Sequence, residues 1–149
     1  MDDNCIFCGI IRGDFTSYEL LLTPSYKVVL DIKPVTPGHI LIIASEHREK
    51  LHQLSESTYQ ELSLAVRKIS QMLPDLFPDV LACNVIVNDG RSSGQHIPHV
   101  HIHIIPRRRF DSLGFYWRVM TRFINPFSQM NRKKRLVDVY DKLIGKLQF

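Results

Sequence analysis

The residues of this chain best suited to chemistry crowd into one stretch, GQHIPHVHIHIIPRRR from Gly94 to Arg109, which holds four of the seven histidines. Three of them, His99, His101 and His103, alternate with Val100, Ile102 and Ile104. In a β-strand, residues two apart project from one face about 6–7 Å from each other, so the imidazoles share one face and the aliphatic side chains the other. The aliphatic face must pack on a core. A merely polar outer face would be served as well by Thr, Lys or Glu. Imidazole three times over points to chemistry near neutral pH, as base, nucleophile or metal ligand. The spacing argues against one ion held by all three, because the first and third lie roughly 13 Å apart. It favours a division of labour, with one histidine as nucleophile and a hydrogen bond from a neighbour fixing its tautomer.

A second group with chemical potential is Cys5-x-x-Cys8. With only three cysteines in the chain, a disulfide framework is disfavoured and the pair reads as a metal or redox site. Cys83 stands alone in an apolar run and reads as a core residue.

The elements that must position these groups follow from periodicity. Tyr18 to Leu22 and Tyr26 to Ile32 read as a hairpin across Thr23-Pro24-Ser25. Lys33 to Gly38 holds two prolines and interrupts the sheet, and His39 to Ala44 resumes it. From Ser45 the pattern turns helical. Leu51 and Leu54, then Leu62, Val66, Ile69 and Leu73, recur every three or four residues, with Ser55 and Glu56 opening the longer helix and Pro74 as its stop. Leu81 to Val87 is a strand, Asn88 to Gly94 a small-residue turn, and the histidine run a strand ending at Pro106. Arg132 to Leu147 forms a closing helix through Leu136, Val139, Leu143 and Leu147. Strands in runs rather than in strict alternation with helices predict an α+β domain with a mainly antiparallel sheet.

A length of 149 residues with 44% apolar content suits a single domain spanning 1–149. Residues 1–106 carry eight basic and twelve acidic side chains, a net of −4, whereas residues 107–149 carry eleven and three, a net of +8. The basic character therefore belongs to a C-terminal extension, 107–149. Such a block can face nucleic acid or polyphosphate, although a solvated basic face is the commoner outcome. No apolar run approaches the ~20 residues of a membrane span, and the N-terminus is acidic where a signal peptide would be basic. A soluble cytoplasmic protein with no membrane partner is expected.

The run His99-Val100-His101-Ile102-His103-Ile104-Ile105 resembles the His-x-His-x-His-x-x signature of the histidine triad (HIT) superfamily of nucleotide hydrolases and transferases. The resemblance extends through Asp31-Ile32, Pro37-Gly38-His39, Leu41-Ile42-Ile43, Asn88-Asp89-Gly90, Gly94-Gln95 and Ile104-Ile105-Pro106-Arg107, in the family's order and at its spacing. The opening Cys5-Ile6-Phe7-Cys8 is similar to bacterial-type members. The likeness covers roughly residues 4–110.

That resemblance implies a HIT-like fold, a homodimer and a role for each matching residue. His101 corresponds to the nucleophile that attacks the α-phosphate of a nucleotide ester, anhydride or phosphoramidate. His103, His39 and His99 support its geometry and the developing charge. Asp31 corresponds to the carboxylate on the ribose hydroxyls, Ile32 to the base pocket, and Asn88 and Gln95 to polar positions around the phosphate and leaving group. Cys5, Cys8, His47 and His99 correspond to a structural zinc set, with a redox pair as the alternative for the cysteines and His52 as a competitor for His47. His96 stands where many relatives carry Ser, Thr or Glu, which makes it a substrate-side residue that can alter leaving-group preference. Adenine nucleotides, as dinucleoside polyphosphates or nucleoside phosphoramidates, are the expected substrates. Two other readings stay open: a nucleotide-binding regulatory module with little turnover, and a nucleic-acid adenylate-processing enzyme using the basic tail, including Arg107 to Arg109 and the aromatic-basic run Phe115 to Arg122.

Overall fold

Runs of β-branched and aliphatic residues build a five-stranded, wholly antiparallel sheet in the order β1-β2-β3-β5-β4. The structure, a computed structural model, describes residues 2–121 and 130–147. Its elements are α1 (Ile6–Arg12), β1 (Tyr18–Leu22), β2 (Tyr26–Leu30), β3 (Ile40–Ala44), α2 (Glu56–Leu76), β4 (Val80–Val87), β5 (His101–Arg108), α3 (Ser112–Thr121) and α4 (Met130–Leu143). The expected α+β class holds. The β1–β2 hairpin is fastened by Thr23, whose Oγ1 accepts from the Tyr26 N–H and donates to its carbonyl, both at 3.0 Å.

The two faces of the sheet have different partners, and this asymmetry places the site. Val28, Leu30, Ile40, Ile42, Ile102 and Ile104 face a core shared with Leu62, Ile69 and Leu73 of α2 and with Leu136 and Leu143 of α4. On the other face, Val29, Leu41 and Ile43 pack against Cys5, Phe7 and Cys8 of the N-terminal segment. Opposite Leu41 and Ile43 across the β3–β5 ladder stand His103 and His101.

Helix α1, absent from the sequence expectation, covers that second face. Its last turn closes at Gly13 in the left-handed conformation (φ +88°). Phe15 folds back over Gly9 so closely that a Cβ there would come within 2.3 Å of the ring. Lys27 anchors the helix: although in β2 and only 4% exposed, its Nζ donates to the Ile10 carbonyl at 2.9 Å and pairs with Glu19 at 2.9 Å.

Strand β5 runs past the expected end at Pro106 to Arg108, pairing with β4 as far as Val80; other boundaries differ for local physical reasons. Residues after Ser45 do not start a helix directly; they bend and make a single 3₁₀ turn over Leu51–Gln53 before Ser55 caps α2, accepting the Thr58 N–H at 3.3 Å. Helix α2 then passes through Pro74 to Leu76, because a proline in the final turn removes only one bond and the Phe77 N–H still reaches the Leu73 carbonyl at 2.9 Å. Strand β2 ends at Leu30 rather than Ile32, since Asp31 Oδ1 accepts the Lys33 N–H at 2.8 Å and starts a turn. The closing helix is observed as α4, with Leu136 and Leu143 buried and Val139 half-buried, but it ends at Leu143, so the buried Leu147 lies beyond it. Residues 115–121 of the aromatic-basic run form part of α3, whose Phe115 packs on Val35 and Ile105. Arg122 lies outside the described residues. Among the described residues, no helix is long and apolar enough to cross a membrane.

Candidate functional site

His101 and His103 occupy the α1-side face of β5, as alternation requires, but His99 lies ahead of the strand, which begins at His101. The expectation of three histidines on one strand is corrected here. Pro98 and a tight turn, in which the His99 N–H donates to the Ile97 carbonyl at 2.8 Å, break the extended run. The turn frees the His99 ring to point at the cysteines while its carbonyl stays beside the strand.

That carbonyl accepts from His101 Nδ1 at 2.7 Å. A carbonyl oxygen can only accept, so the proton sits on Nδ1 and the neutral ring carries its lone pair on Nε2. The His101 ring is 6% exposed, with the Phe7 ring 4.8 Å away and the His103 ring 4.9 Å away, centroid to centroid. Phe7, read from sequence only as part of the N-terminal likeness, thus forms one wall around His101. Its position between two cysteines offered no clue to that.

His39 lies just before β3, fully buried. Its Nε2 is 3.0 Å from His103 Nδ1, and its Nδ1 is 3.2 Å from Asp31 Oδ2. Asp31, His39 and His103 thus form a continuous chain, with Asp31 buried and His103 half-buried at the other end. Ile32, next to Asp31, is 61% exposed.

Gln95 is buried with both ends of its amide engaged. Its Oε1 accepts from the Gly90 N–H at 2.8 Å, and its Nε2 donates to the Glu49 carbonyl at 2.8 Å and toward the His99 carbonyl at 3.4 Å. In this structure it braces the loop behind His101. Asn88 follows β4 directly and is half-buried. His96 is exposed and lines, with Glu49, Arg91, Gly94, Gln95 and Pro98, an open pocket of about 620 Å³.

The second cluster joins elements remote in sequence. Donor atoms of Cys5, Cys8, His47 and His99 all lie within 4.8 Å of one another. His99 Nδ1 stands 3.4 Å from Cys5 Sγ and 3.7 Å from Cys8 Sγ, and His47 Nδ1 stands 3.3 Å from Cys8 Sγ. A tetrahedral zinc with bonds of about 2.3 Å to sulfur and 2.0–2.1 Å to nitrogen spaces sulfur and nitrogen about 3.5 Å apart, so the set fits that ion. His99 Nε2 donates to the Ala44 carbonyl at 2.7 Å, which leaves Nδ1 as the ligand atom. Burial pushes the His99 imidazole down to about 4, keeping it neutral and able to ligate.

His52, the competitor for His47, is exposed and outside this set. The redox alternative needs a lowered thiol pKa, which a helix N-terminus can supply. A helix does follow, with Cys5 at its N-cap, yet burial pushes the Cys8 thiol up, opposite to what a reactive thiolate needs.

The basic extension begins with residues already matched by acids. Arg107 forks onto Asp111, with Nε–Oδ1 at 3.0 Å and NH2–Oδ1 at 2.8 Å, and stacks over Phe115 at 4.0 Å. Arg108 pairs with Asp79 at 2.5 Å.

Comparison with known proteins converges on one family. Residues 15–110 match the family model of the HIT domain. The adenosine 5'-monophosphoramidase of Candida albicans is 31% identical over 134 residues, covering 87% of this chain and 88% of that protein. The asymmetrical bis(5'-nucleosyl)-tetraphosphatase of Schizosaccharomyces pombe is 39% identical over 99 residues, covering 66% of this chain and 52% of that protein. The crystal structure of a Zn-bound histidine triad family protein from Mycobacterium smegmatis superposes with a TM-score of 0.72 at 25% identity, covering 94% and 95% of the two chains.

Proposed function

The chain belongs to the HIT domain family, and from that premise we propose that it is a nucleotide hydrolase or nucleotidyl transferase acting at the α-phosphate of adenine nucleotides through a nucleotidyl-histidine on His101. The observation that carries the reading is the 2.7 Å bond from His101 Nδ1 to the His99 carbonyl. It holds the ring in the tautomer whose Nε2 is nucleophilic. Attack by Nε2 on phosphorus forms a P–N bond as the bond to the leaving group breaks, and water or another acceptor then cleaves the P–N bond and regenerates the histidine.

The remaining roles follow from chemistry at each position. Asp31 receives the ribose hydroxyls and the exposed Ile32 the base. His103, backed by His39, supports His101 and the charge developing at the phosphoryl group, with Asn88 and Gln95 as neutral polar groups near the leaving group. His96 and its pocket lie on the leaving-group side. The substrate class is supported by the names of the Candida and Schizosaccharomyces relatives, a phosphoramidate in one and a dinucleoside polyphosphate in the other.

Cys5, Cys8, His47 and His99 would hold zinc, which supplies a closed structural cross-link between the N-terminal segment and the triad loop. The donor spacing above supports this. We propose a homodimer as the working unit. Among the described residues nothing pairs with the outer edge of β4, and Leu81 and Val85 on that strand are 65% and 46% exposed. The proposed setting is the cytoplasm, where reducing conditions keep the thiols available as ligands. A nucleic-acid role for the tail is the weaker reading, because Arg107 and Arg108 already have acidic partners. Single-turnover reaction with an α-labelled adenosine 5'-phosphoramidate tests the assignment: label retained on acid-labile phosphohistidine supports it, and unchanged turnover in His101→Ala rejects it.

A further inference from the structure

The chain Asp31–His39–His103 uses both nitrogens of His39, and this decides what kind of site it is. Carboxylate and imidazole ligands grouped this closely could hold a metal ion. An ion, however, takes one nitrogen from an imidazole, whereas His39 presents Nδ1 to Asp31 at 3.2 Å and Nε2 to His103 at 3.0 Å on opposite edges of the ring. The arrangement is that of a relay.

We propose that Asp31 is a positioning residue that, through His39, fixes His103 as the base of the hydrolytic step, in addition to any contact with ribose. This rests on the nucleotide reading for its chemistry, though not for its tautomers. The protons can be placed one by one. Asp31 Oδ1 is occupied by the Lys33 N–H at 2.8 Å, so Oδ2 is the oxygen that faces His39. An ionised oxygen can only accept, so His39 carries its proton on Nδ1. The Val35 N–H is also directed at Nδ1, at 3.4 Å, a weak contact that competes with the closer Asp31 oxygen at 3.2 Å; the carboxylate, which cannot donate, takes precedence. His39 Nε2 is then an acceptor, and His103 must donate to it from Nδ1. The lone pair of a neutral His103 consequently sits on Nε2.

Of His39, His99, His101 and His103, it is His103 that reaches solvent. His39, His99 and His101 are buried, and His103 is half-buried with its ring 4.9 Å from that of His101. In the hydrolytic half-reaction, water oxygen bonds to phosphorus. The P–N bond to His101 breaks with its electron pair returning to Nε2, and the surplus water proton passes to Nε2 of His103. The resulting imidazolium is balanced across His39 by the Asp31 carboxylate, as in other carboxylate–imidazole relays. One carboxylate thus serves substrate binding and proton transfer together.

Asp31→Asn separates these roles. Asn Oδ1 keeps the Lys33 N–H, while its NH₂ replaces the oxygen facing His39 and donates to Nδ1. His39 then flips to the Nε2–H tautomer and drives His103 to Nε2–H, removing the base. The experiment compares full-length, ¹⁵N-histidine-labelled wild type and Asp31→Asn by long-range ¹H–¹⁵N correlation, with His39→Gln and His103→Gln for assignment. The expected wild-type pattern is Nδ1–H at both His39 and His103, reversed in the variant. A wild-type His39 protonated on Nε2 overturns the proposal even if the variant does not fold. In parallel, kcat is measured on adenosine 5'-phosphoramidate and on its 2',3'-dideoxy counterpart. The relay predicts that Asp31→Asn lowers kcat on both, on the order of 100-fold. A loss confined to the substrate bearing ribose hydroxyls overturns it. If wild type turns over neither compound, the nucleotide reading fails and the tautomer comparison alone decides.

Discussion

His99 and His101, two residues apart, face different sites and are joined by one hydrogen bond: the carbonyl of His99 accepts from Nδ1 of His101 at 2.7 Å while the His99 ring turns to Cys5 at 3.4 Å. The metal-type cluster and the candidate nucleophile therefore share a backbone unit. Whatever fixes the His99 ring also fixes the oxygen that sets the His101 tautomer.

The first prediction concerns the metal. Protein purified without chelators contains one zinc per chain, and Cys8→Ser loses it. Loss of the cross-link lowers Tm by about 5–10 °C, taking roughly 2–4 °C per kcal/mol for a chain of this size. Elemental analysis together with calorimetry checks both; wild type without zinc contradicts the assignment.

The second concerns pH. Burial, reinforced by His47 and His101 and opposed by the Ala44 carbonyl, depresses His99 from 6.5 to about 4. Above pH 6.5 neither folded nor unfolded chain holds the proton and nothing is lost. As pH falls from 6.5 toward 4 the unfolded state protonates first, and stability declines. Chelator-treated protein should lose about 2 kcal/mol between pH 7.5 and pH 5, read from urea midpoints. His99→Gln should lack this part of the decline; equal declines in both proteins would assign it elsewhere.

A third substitution separates stability from chemistry. Ser55 caps α2, and its Oγ and that of Thr58 donate to Glu46 Oε1, holding the Glu46 carboxyl below its usual range. Ser55→Ala should cost about 1 kcal/mol in urea unfolding with kcat unchanged. A fall in kcat would show that α2 reaches the site in a way these contacts do not.

The fourth addresses assembly. Leu81→Glu places a charge on the open edge of β4, and light scattering should show half the wild-type mass. A wild type that is already monomeric contradicts the proposed dimer.

Features carried by period and by residue type are visible in the sequence. Alternation announces β5 and its two faces, whereas the set Cys5, Cys8, His47 and His99, implied only by the family resemblance beyond the Cys-x-x-Cys pair, is drawn together by the fold from three segments. Contacts between distant segments were hidden. Lys27 sits in a strand where a charged residue suggests solvent, yet the carbonyl end of α1 takes it into the interior. Helix α1 itself has only seven residues, too few for a periodic signal. Pro74 looked like a stop because sequence does not reveal that α2 was already in its last turn. Gln95 is legible in the sequence as a polar residue of the site, and the folded loop adds that its amide is held by Gly90 and Glu49.

The central claim is that His101 becomes covalently nucleotidylated. Rapid quench of wild type with α-³²P-labelled adenosine 5'-phosphoramidate, followed by peptide mapping, tests it most directly. Transient acid-labile, base-stable label is expected on the peptide bearing His101 and absent from His101→Ala. Turnover with no protein-bound label at any quench time, or label that persists in His101→Ala, would contradict it.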